Sequence, residues 1–302
     1  MRALQLLLKY VFILELHFNF LQKRASRRRY MSHPLQSLSG ETRVLAIMGD
    51  PIAQVKSPAG VTATLHERGV NAVMVPVHVS PADLATLVSG ISLAKNFDGI
   101  SMTVPHKFAA HALCATATDR ANFLSACNIM RRNPDGSWHG DMCDGEGFVA
   151  AARAVGCQPE GKRALLVGAG GAGSAIALAL LDAGVSELAV HDGDTQRCDA
   201  LITRLRSVHG DKVIAGSNDP SGFDVIINAT PAGMRADDPL PVQADKFVAG
   251  MFVGDVITVP AVTPMIQAAR DKGCLTQIGT GMFAAVRDRM IDFLLEAGPL
   301  AR

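Results

Sequence analysis

The residue types able to do chemistry here are a lysine, an aspartate and a glycine-rich turn. Lys107 follows Thr103-Val104-Pro105-His106, where an apolar run gives way to a helical pattern. Asp144 opens Asp144-Gly145-Glu146-Gly147, ahead of a second helical pattern. A lysine and an aspartate facing one cleft can exchange a proton with a substrate hydroxyl, provided burial or neighbours tune the lysine downward. Read singly, Lys107 is equally a solvated surface lysine and Asp144 a helix N-cap. The glycine turn is Gly168-Ala169-Gly170-Gly171-Ala172-Gly173, which fits G-x-G-x-x-G. It lies between an apolar run at 164–167 and a small-residue helical pattern at 174–181, the strand–turn–helix order of a dinucleotide-binding unit. Gly168 permits the tight turn, and Gly170 lets backbone approach a pyrophosphate. Gly173 lets the helix close on the strand, with its N-terminal amides toward the phosphates.

Further polar residues fall at or just beyond the carboxyl ends of predicted strands, where open α/β sheets bind ligands. These are Ser57, Ser101, Thr103 and Asn128. The second strand of the nucleotide unit ends Val190-His191-Asp192-Gly193-Asp194. Asp192 stands about twenty residues past the glycine loop, where an acid accepts the ribose hydroxyls and repels a 2′-phosphate, so NAD is expected over NADP. The plainer role is a turn former before Gly193. Arg197 is near enough to compensate in part.

Positioning these groups requires a regular framework, and the pattern becomes regular from Thr42. Strands are expected at 43–48, 72–79 and 99–104, and helices at 57–68 and 81–88, with Ser57-Pro58 as N-cap and N1 of the first. Segments 122–131 and 137–142 flank the turn Asn133-Pro134-Asp135-Gly136 and are expected to form a hairpin. A helix over 144–155 leads to the glycine loop. Beyond it, strands are expected at 187–191, 212–215, 224–228, 251–257 and 275–278, with helices at 195–207, 263–272 and 282–296. The last helix has apolar spacing on more than one face, as if it returned to the first half. Strands alternating with helices imply parallel sheets joined by right-handed crossovers.

The 302 residues suffice for two domains, and 48% hydrophobic with 19% charged residues describes an ordinary globular core. A net charge of +1 gives no reason to expect a nucleic-acid partner. Six cysteines without C-x-x-C spacing read as reduced thiols of a cytoplasmic protein. His139 and Cys143, lacking a second ligand pair, do not make a metal site, and none is expected. Residues 1–41 differ from the rest. Their apolar stretch carries Lys9 and Glu15, costly within a membrane, and is followed by a basic run, the reverse of a secretory signal. This segment is expected to be an extension outside the fold, with Met31 opening the working protein and no membrane partner.

Several segments together resemble the shikimate/quinate dehydrogenase family. Residues Gly49 to Pro58 resemble its G-x-P-I-x-H-S-x-S-P, and Gly99 to Lys107 its G-x-N-V-T-x-P-x-K. Ala126-Cys127-Asn128 is similar to A-V-N-T, Gly140 to Gly147 to G-x-N-T-D-G-x-G, and Asn228 to Met234 to N-A-T-x-x-G-M. Asp255 to Pro264 is similar to D-x-V-Y-x-P-x-x-T-P and Gly279-Thr280-Gly281-Met282 to the final G-x-G-M. The motifs run in family order from about residue 43 to the end.

The resemblance implies an α/β protein of two domains with a cleft between them. The expected substrate domain is 42–145 plus 282–302, mainly parallel, and the Rossmann domain 146–281. It implies reversible hydride transfer between NAD(P) and a ring hydroxyl of shikimate, quinate or a related hydroxylated cyclic carboxylate, in a monomer or homodimer. Lys107 would take the hydroxyl proton and Asp144 would orient the neighbouring group. Ser57, Ser101, Thr103, Asn128 and Thr258 would contact substrate, and Thr230, Gly279 and Met282 the nicotinamide. Gly193 stands where NADP-using members carry arginine. Other departures are Gln54, Val55, Ser101, Ile129, Thr258 and Val286, which replace polar family residues, three of them (Val55, Ile129 and Val286) with apolar side chains. The catalytic pair is kept while the binding shell changes, which implies an altered substrate preference. The competing readings are a dinucleotide-binding sensor without turnover and a reductase of unrelated substrate.

Overall fold

The computed structural model describes residues 38–301, so the segment expected to stand outside the fold lies beyond the described residues up to position 37. From Arg43 onward the chain builds two six-stranded sheets. In the first, β1 (Arg43–Gly49) is an apolar run one strand in from an edge. It pairs in parallel with β2 (Ala72–His78) on one side and β3 (Phe97–Met102) on the other. The sheet continues antiparallel through β5 (Ile129–Arg132) and β6 (Trp138–Asp141), and the two-residue β4 (Thr116–Ala117) closes its edge beside β6. The helices of this half are α1 (Ser57–Glu67), α2 (Leu84–Ile91), α3 (Lys107–Ala112) and α4 (Asp119–Leu124).

Helix α5 (Asp144–Ala154) leads into the second sheet, ordered β12-β11-β10-β7-β8-β9 and parallel throughout. Its strands are β7 (Arg163–Val167), β8 (Glu187–His191), β9 (Val213–Ala215), β10 (Val225–Asn228), β11 (Phe252–Asp255) and β12 (Leu275–Gln277). Helices α6 (Gly171–Asp182), α7 (Thr195–His209) and α8 (Pro264–Asp271) cover them. The strand order reverses between β7 and β10, and a crevice at such a switch point is where this topology binds ligands.

Several local expectations are corrected. Ser57 lies inside α1, and Lys56 takes the cap position without a side-chain cap. Helix α2 starts three residues later than the apolar pattern placed it. Segment 122–131 is not one element. Its first residues end α4, which Thr118 caps by accepting from the Ala121 amide, and only its second half joins the hairpin. Thr118-Asp119 is a cap with an acid in the first turn, a signal that outweighed the apolar run.

The final helix α9 (Gly279–Glu296) packs on α5, α1 and β5, as its doubly apolar pattern implied. Glycines set how near α5 comes to its neighbours. A Cβ at Gly145 would collide with the Ala175 carbonyl of α6, and one at Gly147 with the Val286 side chain of α9. Helix α5 is thus wedged between α6 and α9. We predict that Gly145→Ala destabilises the protein by about 1–3 kcal/mol through overpacking. Urea unfolding measures this, and an unchanged midpoint would show that the α5–α6 contact has slack.

Candidate active site

Lys107 is the first residue of α3 and Asp144 the first of α5. Their side chains meet as an ion pair between Nζ and Oδ2, 13% and 8% exposed. The other Asp144 oxygen accepts a 2.7 Å hydrogen bond from Asn128 Nδ2, and Asn128 Oδ1 accepts from the Cys143 amide at 2.9 Å. The carboxylate is therefore held at both oxygens, in a setting with little water. The Cys127 amide donates to the Lys107 carbonyl at 2.8 Å, tying the start of α3 to the segment that carries Asn128 into β5. The aliphatic stem of Lys107 lies against the glycine turn, so that a Cβ at Gly171 would sit 3.0 Å from its Cδ. The Lys107 amine, the Asp144 carboxylate and the glycine turn are consequently brought together.

The remaining polar residues divide by what their hydroxyls do. Ser101 Oγ is spent on the Asn128 carbonyl at 3.1 Å and touches Met290 Sδ at 3.7 Å. Ser57 and Thr103 make no side-chain hydrogen bond among the described residues, so both hydroxyls are free for a ligand. Thr258 is half-buried just past β11, next to Ile257, whose carbonyl a Cβ at Gly279 would strike. Ser57, Thr103 and Thr258 make no hydrogen bond to the Lys107–Asn128–Asp144 cluster. Val286 is buried against Gly147, and Val55 packs on the same core.

The glycine turn fits a dinucleotide on its own geometry. Gly168 has φ +109°, and a Cβ there would lie 2.7 Å from Ala229 and 2.9 Å from Thr230 Cγ2. Gly173 faces the Gly168 carbonyl with no room for a side chain, whereas an added Cβ at Gly170 meets nothing within 4 Å. Backbone is thus open at the position where a pyrophosphate would approach the amides of Gly171 and Ala172, the first residues of α6. The Ala169 amide donates to Asp192 Oδ2 at 2.6 Å, and Asp192 also accepts from the Asp194 amide at 2.8 Å and from Arg197 Nη2 at 2.7 Å. Burial opposes the Asp192 charge, but the Arg197 hydrogen bond and the two amides outweigh it and hold the carboxyl below its ordinary value.

On the other side of the turn, Asn228 Oδ1 accepts from the Thr230 amide and hydroxyl, the latter at 2.6 Å. Met282 is buried in the first turns of α9. No group of three or more metal-ligating side chains occurs among the described residues, and no helix among them is long and apolar enough to cross a membrane.

Two supporting networks escaped sequence reasoning. Arg120 pairs with Asp141 and Glu146, bracketing Asp144 from both sides in sequence. Nothing local marks that pairing. The second is Asp255, which the motif contains without revealing its work: it accepts from Thr263 Oγ1 at 2.7 Å, the Ile257 amide at 3.0 Å and Asn228 Nδ2 at 3.2 Å. Burial raises the Asp255 carboxyl to about 6 in spite of those donors. The folded protein then holds a proton that the unfolded chain releases near 4. Stability from this group is present below about pH 4 and lost as pH rises to about 6, some 3 kcal/mol in all. Carbon-13 NMR of the Asp255 carboxyl is expected to titrate near pH 6, and a midpoint at or below 4 would contradict it.

Comparison with known proteins adds an independent line. The family model of the shikimate dehydrogenase substrate-binding domain matches residues 47–130. The shikimate dehydrogenase (NADP(+)) of Rubrobacter xylanophilus is 36% identical over 241 residues, 78% of this chain and 84% of the relative. Among solved structures, quinate dehydrogenase from Corynebacterium glutamicum in complex with NAD aligns at TM-score 0.76 and 28% identity, over 85% of this chain and 94% of that one. The ligand-free 5-ketofructose reductase of Gluconobacter sp. strain CHM43 aligns at TM-score 0.75 and 26% identity, over 86% and 95%.

Proposed function

The chain belongs to the shikimate dehydrogenase family, and on that premise we propose which of its residues carry the reaction. It is an NAD(P)-dependent oxidoreductase acting reversibly on a CH–OH group of shikimate, quinate or a related hydroxylated cyclic carboxylate. Lys107 accepts the proton of the reacting hydroxyl. Asp144 fixes the amine through its Oδ2, and Asn128 fixes Asp144. The free hydroxyls of Ser57 and Thr103 hold polar groups of the substrate, with Thr258 at the rim, while Ser101, already bonded to Asn128, braces that strand. The bound dinucleotide supplies the hydride acceptor or donor; the protein aligns the reactants and moves the proton. Residues 168–173 hold its pyrophosphate, with Thr230, Gly279 and Met282 around the nicotinamide. Segments 42–145 plus 282–302 serve as substrate domain and 146–281 as nucleotide domain, in a cytoplasmic protein that is a monomer or homodimer.

One observation carries this reading: Lys107 is desolvated, paired with Asp144 and resting on the nucleotide turn. A sensor without turnover has no use for that arrangement. We expect Lys107→Met, which keeps the stem against Gly171, to lower kcat by about 10²–10⁴-fold with dinucleotide binding intact. A rate near wild type would remove Lys107 from proton transfer.

NAD is the preferred cofactor. Asp192 is ionised and close to the loop, and the position after it is Gly193, where an added Cβ meets only open space and no cation reaches toward a 2′-phosphate. Arg197 is the nearby cation, but it is engaged by Asp192. The measurement is kcat/KM for NAD and NADP, each with shikimate and quinate. Asp192→Ala is expected to narrow the NAD preference by about tenfold, equivalent to ~1.4 kcal/mol. An unchanged ratio would take Asp192 out of cofactor choice.

A further inference from the structure

Two thiols lie against each other behind the active pair, outside the chemistry described above. Cys114 follows the last turn of α3 and is half-buried, while Cys127 is 0% exposed and directly precedes Asn128. The Cys114 thiol donates to the Ala110 carbonyl at 3.3 Å, and each sulfur shifts the titration of the other. Both sulfurs crowd Gly140 of β6, where an added Cβ would lie 2.7 Å from the Cys114 sulfur and collide with that of Cys127. Glycine at 140 therefore leaves the space in which the two sulfurs meet.

We propose that Cys114 and Cys127 are an oxidation site, closed to a disulfide by hydrogen peroxide and reopened by thiols, and that closure misaligns Lys107 and Asp144. Cys114 reacts first. It has access to solvent, and the neighbouring Cys127 thiol lowers its pKa by more than burial raises it. The Cys114 sulfur and burial together raise Cys127, which keeps its proton until the second step. The Cys114 thiolate attacks one peroxide oxygen, the O–O bond breaks, and the other oxygen leaves as water after taking a proton. The Cys127 sulfur then attacks the sulfenic acid sulfur, the S–S bond forms, and the S–O bond breaks to release a second water. Two thiols lose two protons and two electrons, and one peroxide becomes two waters.

The consequence follows from where the pair sits. A disulfide needs the sulfurs at about 2.05 Å, closer than any thiol hydrogen bond. Cys127 must move, and its amide holds the Lys107 carbonyl while its neighbour Asn128 holds Asp144. Cys114 pulls on the other end of the same short helix. A misplacement of about 1 Å at reacting groups can cost about a hundredfold in rate.

The oxidation site itself does not depend on the dehydrogenase reading, whereas its effect on turnover does. The full chain is treated with hydrogen peroxide and followed by intact mass, peptide mapping and the dehydrogenase assay. The expected result is loss of two hydrogens, a single Cys114–Cys127 crosslink, a fall in kcat of about tenfold or more, and recovery of both on adding dithiothreitol. Cys114→Ser is expected to keep its basal activity and to lose crosslink and inactivation together. If that variant does not fold, Cys127→Ser takes its place. Oxidation elsewhere without this crosslink, or a crosslink through Cys143, overturns the proposal, and a crosslink with kcat unchanged overturns the misalignment. A reduced protein that turns nothing over while still forming the crosslink counts against the dehydrogenase reading alone.

Discussion

A carboxylate withdrawn from water must be matched by donors at both oxygens or it will not stay charged, and Asp144 shows how much structure that demands. Its two partners come from different places: the amine of Lys107 at the start of α3 and the amide of Asn128 ahead of β5. Each is itself anchored, Asn128 by the Cys143 amide and Lys107 through its carbonyl by Cys127. The central strands of the first sheet bring these segments to one end of the molecule. Helix α5 then carries the result to the second sheet, because Asp144 and the contact with α6 are one residue apart.

Close approach does the corresponding work between the halves. Gly145 and Gly147 admit α6 and α9 to opposite sides of α5, and Gly171 admits the stem of Lys107. The site is assembled by absent side chains as much as by present ones. A chain with ordinary residues at these positions could keep both sheets and lose the meeting of lysine, acid and nucleotide turn.

Much of this was legible in the sequence. The parallel strands announced themselves as apolar runs, and the glycine turn as a strand–turn–helix sequence, because both signals are local. Lys107 and Asp144 were candidates from their places at helix starts. Their pairing was not derivable, since 37 residues separate them and only the sheet order brings them together. Ser101 shows what position alone leaves out: its hydroxyl donates to the Asn128 carbonyl, a contact no local signal announces. Helix α4 was hidden inside an apolar stretch because a short capped helix leaves little periodicity to read. Arg120 and Asp255 act through partners distant in sequence or through burial, and neither leaves a local mark.

Asp192 has a consequence of another kind. One carboxylate ties the Ala169 amide of the glycine turn, the turn after β8, and Arg197. On the proposed cofactor reading, selectivity between the two dinucleotides and the rigidity of the glycine turn would be vested in the same side chain. Redesign toward the phosphorylated cofactor by replacing this acid would free Arg197 while releasing a strut of the loop, so affinity for both cofactors would fall before selectivity reversed. An engineer, or a lineage drifting between coenzymes, would have to supply a neutral acceptor for the Ala169 amide in the same step.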